Sequence, residues 1–130
     1  MNQPWLKAVD WSVVTAINQQ LCAAKQAQHG PTSEGHAPAR ALWEKAFREP
    51  LTLEALVELC RQCHRLAPFL NYNGNTFVVI ARQVIGGLPL GSQAAALRSL
   101  AGHIIAGTAI PEEQKAFQAA VAKLNSKLSD

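Results

Sequence analysis

Acidic residues, cysteines and long apolar runs are all scarce in this chain, and each scarcity removes a class of function. Asp and Glu number nine in 130 residues, and none sits within an apolar segment where burial would tune a carboxyl group for acid–base work. Paired catalytic carboxylates are therefore not expected. No stretch approaches the ~20 apolar residues that a membrane span requires. Three cysteines, Cys22, Cys60 and Cys63, do not make a disulfide framework. Serine-nucleophile arrangements, glycine-rich phosphate loops and His-rich metal motifs are missing as well. The formal charge is only +3, and the 12 Lys and Arg residues are scattered with no dense run. A phosphate-tracking surface for nucleic acid is not expected.

What remains describes a globular helical protein. Hydrophobic residues make up 48% and charged residues 16%, a balance that buries a core without metal or cross-link. The length suits one domain. Met1–Val9 has no apolar signal core and no small-residue cleavage site, so a cytoplasmic location is expected.

Apolar residues recur at helical spacing in segment after segment. Val14, Ile17, Leu21 and Ala24 mark a helix from Trp11 to about Gln28, with Asp10 or Ser12 as its cap. The stretch 29–38, rich in Gly, Pro and Ser, reads as a mobile loop. Pro38 opens a short second helix that Pro50 stops, and Thr52 caps a third from Leu53 to about Ala67. Asn73-Gly74 signals a turn. Thr76–Ile85 reads as a buried central helix closed by Gly86-Gly87, since no second β-like run exists to pair with Phe77–Ile80. Ser92 caps a fifth helix, and Pro111 opens a sixth with a narrow stripe of Phe117, Val121, Leu124 and Leu128. The expected fold is all-α, a single-domain bundle of five to six short helices with a central buried helix. Residues 1–9 are its loose lead-in.

One motif is prominent. Cys60-Arg61-Gln62-Cys63-His64 fits C-x-x-C-H, in which two thiols form thioethers to a haem and the histidine ligates its iron. Over these five residues the chain resembles c-type cytochromes, which implies haem c at Cys60, Cys63 and His64. With Met1 the only methionine, His29, His36 or His103 would supply the second axial ligand. Zinc is the other metal reading, with Cys22, Cys60, Cys63 and His64 as its N/S donors. On a helical wheel, however, Leu53, Leu56, Val57, Cys60, Cys63, His64 and Ala67 share one face. The leading reading is two small thiols and a hydrogen-bonded imidazole filling the core, with no cofactor.

Ala67-Pro68-Phe69-Leu70-Asn71-Tyr72-Asn73-Gly74-Asn75-Thr76 resembles the Fic family signature His-Pro-Phe-x-Asp-Gly-Asn-Gly-Arg-Thr. Pro68, Phe69, Asn73, Gly74 and Thr76 agree with it. The resemblance implies a helical fold in which this loop and the next helix N-terminus hold nucleotide phosphates. Ala67 stands at the catalytic His, Asn71 at the acidic metal-binding position and Asn75 at the phosphate-binding Arg, so transfer activity is expected to be lost. Asn71, Asn73, Gly74 and Asn75 are the loop candidates. His64-Arg65-Leu66 is similar to the phospho-accepting helix of histidine phosphotransfer domains, although Ala67-Pro68 ends the helix where that family continues. Trp5, Trp11 and Trp43 are candidates for a partner-binding surface, with core packing the simpler use. The leading functional expectation is a non-catalytic helical module that binds a protein partner or its own copy.

Overall fold

The computed structural model describes residues 9–88 and 90–129, with side chains described through Leu124. Six α-helices and no strand are present among these residues: α1 (Trp11–Ala24), α2 (His36–Phe47), α3 (Leu53–Leu66), α4 (Asn73–Gly86), α5 (Gln93–Ala106) and α6 (Pro111–Ser129). Trp5, Leu128 and the lead-in 1–8 lie outside the described residues or side chains.

Helix starts follow side-chain chemistry where a short polar residue precedes the apolar stripe. The Asp10 carboxylate accepts from the Val13 N–H, and the Thr52 hydroxyl accepts from the Ala55 N–H. The Asp10 pKa is lowered by its hydrogen bonds to Ser12 and Val13. Ser92 precedes α5 but makes no side-chain cap bond; it already has helical backbone angles. Two helices begin earlier than their sequence signals. α2 starts at His36, and α4 starts at Asn73, so Asn73-Gly74 is the first turn of a helix. The left-handed residue lies just before it, at Tyr72 (φ 60°).

α4 is central, packing against α1, α3 and α5, while α6 rests on α5 alone among these. Its inward residues Thr76, Phe77, Ile80, Ala81 and Ile85 are buried, whereas Arg82 and Gln83 are exposed. The core adds Leu53, Leu56, Val57, Cys60 and Cys63 from α3, Trp43 from α2, and Leu97, Ala101 and Ile105 from α5. Trp11 and Trp43 both belong to this core. Trp11 stacks on Phe69 and donates through Nε1 to His36 Nε2 (3.3 Å), and Trp43 Nε1 donates to the Val9 carbonyl (2.9 Å). Phe117, Val121 and Leu124 seat α6 on the bundle.

The stretch 29–35, expected to be loose, is stitched to the α3–α4 connection. Thr32 N–H donates to the Pro68 carbonyl (2.9 Å), the Thr32 hydroxyl to the Ala67 carbonyl (2.6 Å), and the Leu70 N–H to the Gly30 carbonyl (3.0 Å). Gly35 completes the join by close approach. A β-carbon there would lie 1.8 Å from the Leu66 carbonyl oxygen and 2.6 Å from that of Ala67. Only glycine lets α2 begin against the end of α3.

Candidate functional site

Cys60 and Cys63 lie on the inner face of α3, both fully buried and unbridged. Burial pushes the Cys63 thiol up to about 12, and burial together with the neighbouring Cys63 raises Cys60 well above the ordinary thiol range. Thioether formation and metal ligation both need sulfur that is reachable and readily ionised. These two thiols are neither, so they fit a haem edge poorly. Cys22 sits elsewhere, its thiol directed at Asn18 Oδ1 (3.6 Å) in the α1 corner. Among the described residues no group of three or more His, Cys, Asp and Glu is placed to hold a metal ion.

His64 departs from its two cysteines. It is half-buried at the rim of the core, whereas the helical wheel had placed it inside. Its Nδ1 lies 2.8 Å from the Ile105 carbonyl oxygen. A carbonyl only accepts, so Nδ1 carries a proton, and in the neutral tautomer this contact selects the lone pair lies on Nε2. That nitrogen faces Gly74 at the start of α4, 3.2 Å from where a β-carbon would stand. A side chain at residue 74 would push the imidazole aside.

The loop residues divide in the same way. Asn73 clamps Phe69, accepting from its N–H (2.9 Å) and donating to its carbonyl (2.8 Å). Asn71 Nδ2 donates to the Gln28 carbonyl (2.9 Å). The fully buried Asn18 donates to the Asn71 carbonyl (2.8 Å) and to Thr76 Oγ1 (3.0 Å), and accepts from His29 Nδ1 (2.9 Å). Asn71, Asn73 and Thr76, three of the residues compared with the Fic signature, thus have their side chains engaged in holding the corner together. Gly74 and Asn75 face outward.

They face a cleft of about 680 Å³ between the start of α4 and the face of α5. His64, Tyr72, Gly74, Asn75, Arg82 and His103 are its principal polar and backbone contributors, and Val78, Gly102 and Ala106 line its apolar side. α4 carries no side-chain cap, and the N–H groups of Asn73, Gly74 and Asn75 have no acceptor among the described residues. Such amides at a helix N-terminus, reinforced by the helix dipole, favour negative charge. Arg82, in no ion pair among the described residues, lies over Gly102, its Nη2 3.3 Å from the position of an added β-carbon. His103, on the rim, pairs with Glu113, whose carboxyl is lowered chiefly by that hydrogen bond.

Among the described residues, no carboxylate lines this cleft. Two other clefts differ in this respect. The one between α1 and α2, about 790 Å³, includes Asp10 and Glu44 beside Arg40 and Arg48. The one below α6, about 500 Å³, includes Glu54 and Glu58, the latter already bound to Arg61 (2.5 Å). Sequence reasoning found His64, Gly74 and Asn75, offered His103 only as an axial haem ligand, and missed Arg82. The one local signal was Gly102, a glycine within the apolar run of α5.

No family model, curated protein or solved structure matches the chain.

Proposed function

We propose that this protein is a non-catalytic binding module for a small phosphate-bearing ligand, held in the cleft between α4 and α5. The observation that carries this reading is the convergence on one cleft of three amides, His64 and Arg82, where among the described residues the amides have no acceptor, Arg82 has no ion pair and no carboxylate lines the wall. Asn75 and Arg82 are seven residues apart on α4, which spans about 10 Å of helix. A ligand with a phosphate at the helix start therefore has room to extend and to place a second polar group at Arg82. The Fic resemblance, which shares Asn73 and Gly74 with this site, implies a phosphate at the same helix end. His64 offers a base, yet among the described residues no second group is placed to orient a nucleophile, so binding is the simpler use of the site.

Exposed large apolar side chains give less support to the partner-binding alternative. Leu70 and Ile110 are the ones that stand out into solvent among the described residues, in different loops. That is well short of a continuous apolar patch.

Calorimetric titration with pyrophosphate and with adenosine monophosphate tests the proposal. Saturable binding is expected, weakened about tenfold by Arg82→Ala, the usual worth of one charge-assisted contact. Heats of dilution alone for both ligands would reject it.

A further inference from the structure

Asn73-Gly74 is the one Asn-Gly pair in the chain, and that dipeptide carries a chemistry of its own. An asparagine followed by glycine closes readily on the next peptide nitrogen, because no side chain on the glycine obstructs the approach. The glycine N–H loses its proton to hydroxide and the nitrogen attacks the asparagine Cγ. An N–C bond forms, the Cγ–Nδ2 bond breaks and ammonia leaves. Water then opens the succinimide to aspartate or isoaspartate. The net exchange is one water in and one ammonia out.

Two features of the fold oppose that closure. Asn73 is the first residue of α4, so its backbone is already committed to the helix. Its side chain is turned back along the chain, where Oδ1 accepts from the Phe69 N–H (2.9 Å) and Nδ2 donates to the Phe69 carbonyl (2.8 Å). The nucleophile itself is not restrained in this way: among the described residues the Gly74 N–H has no acceptor. Protection therefore lies in the Phe69 clamp and the first turn of α4. Both are held from α1, because buried Asn18 donates to the Asn71 carbonyl (2.8 Å) and to Thr76 Oγ1 (3.0 Å). Thr76 in turn donates to the Tyr72 carbonyl (2.7 Å).

We infer that Asn73 is a latent deamidation site, guarded by this corner and open to attack by its own backbone whenever the corner opens. The product is not reversed by reclosure. It sets a carboxylate oxygen, in place of the Nδ2 donor, against the Phe69 carbonyl, which also only accepts. The isoaspartate form also adds a methylene to the main chain at the start of α4. Both changes oppose restoration of the clamp, so an opening is recorded as a lasting change of mass and charge. This chemistry needs no ligand, so its outcome is independent of the phosphate proposal.

Peptide mapping by mass spectrometry of the full chain, incubated in mildly alkaline buffer, is the test. The folded parent is expected to convert at residue 73 at least about tenfold more slowly than the same chain in urea, since a guarded site reacts in proportion to its open population. Asn18→Ala is expected to speed conversion in buffer by about tenfold, through loss of the buried hydrogen bonds that hold the corner. Thr76→Val, which keeps the side chain's size and removes its hydroxyl, is expected to act more weakly in the same direction, and it serves if Asn18→Ala does not fold. Equal rates for the parent in buffer and in urea overturn the inference. So does a rate unmoved in the folded variants, or an unfolded chain that does not convert at all.

Discussion

Two faces of the same short connection, residues 64–76, are built from similar residues and do opposite things. On the inner face, Asn73, Asn71 and Thr76 meet Asn18, Phe69, Tyr72 and Gln28, and their side-chain hydrogen bonds are made within the protein. On the outer face, a turn away, His64 Nε2, the first amides of α4 and Arg82 face a cleft and make no hydrogen bond to another group among the described residues. A buried polar group without a partner costs about 1–3 kcal/mol, so the inner set has to be complete. The outer set borders solvent and can remain open. Polar residues at a folding corner announce a site only when they are left unsatisfied by the fold.

The sharpest way to break this contrast is on the inner side. Gly35→Ala drives a β-carbon into the Leu66 carbonyl at 1.8 Å, and rigid backbone cannot yield as a flexible side chain would. A loss of about 3 kcal/mol or more in urea unfolding is expected. A variant as stable as the parent would show that α2 and α3 do not meet there. Asn18→Ala is next. It leaves Thr76, His29 and the Asn71 carbonyl without their buried partner, and about 2 kcal/mol should be lost in the same measurement.

Alkaline pH separates the buried thiols from the cleft. A thiol in the unfolded chain ionises near its model value of 9.0, while folded Cys63 ionises at about 12. The raised group thus contributes its full stability below pH 9.0 and loses it as pH climbs toward about 12. The expected slope is roughly 1.4 kcal/mol per pH unit for each buried thiol, and Cys60 is shifted in the same direction. The double variant Cys60→Ala, Cys63→Ala should flatten that slope, and an unchanged slope would refute the burial. On the outer side, Arg82→Ala should shift unfolding free energy by less than about 0.5 kcal/mol, as surface substitutions do. A large loss would mean Arg82 serves the fold and not the cleft.

The helices were legible because apolar spacing is a local signal. The stripes of α3 and α5 gave Leu56, Cys60, Leu97 and Ile105 as core, and all four are buried. Features set by contact between distant segments were not legible. Asn73-Gly74 has the composition of a turn, but Asn73 finds Phe69, Tyr72 takes the left-handed angle, and the helix starts early. The tethering of 29–35 depends on carbonyls at the end of α3, some 35 residues on, and nothing in the Gly-Pro-Ser composition encodes it. His64 fell on the correct helical face, yet a wheel cannot distinguish core from rim. Arg82 and His103 become neighbours only through the packing of α4 on α5, so no reading of either segment alone would have joined them.

Amide chemical-shift mapping during titration with inorganic phosphate is the most direct measurement of whether the cleft holds an oxyanion. Saturating shifts are expected to be largest at the backbone amides of Asn73, Gly74 and Asn75, with the Arg82 side chain responding alongside them. Shifts centred on another surface, or none at millimolar phosphate, would contradict the assignment of this cleft.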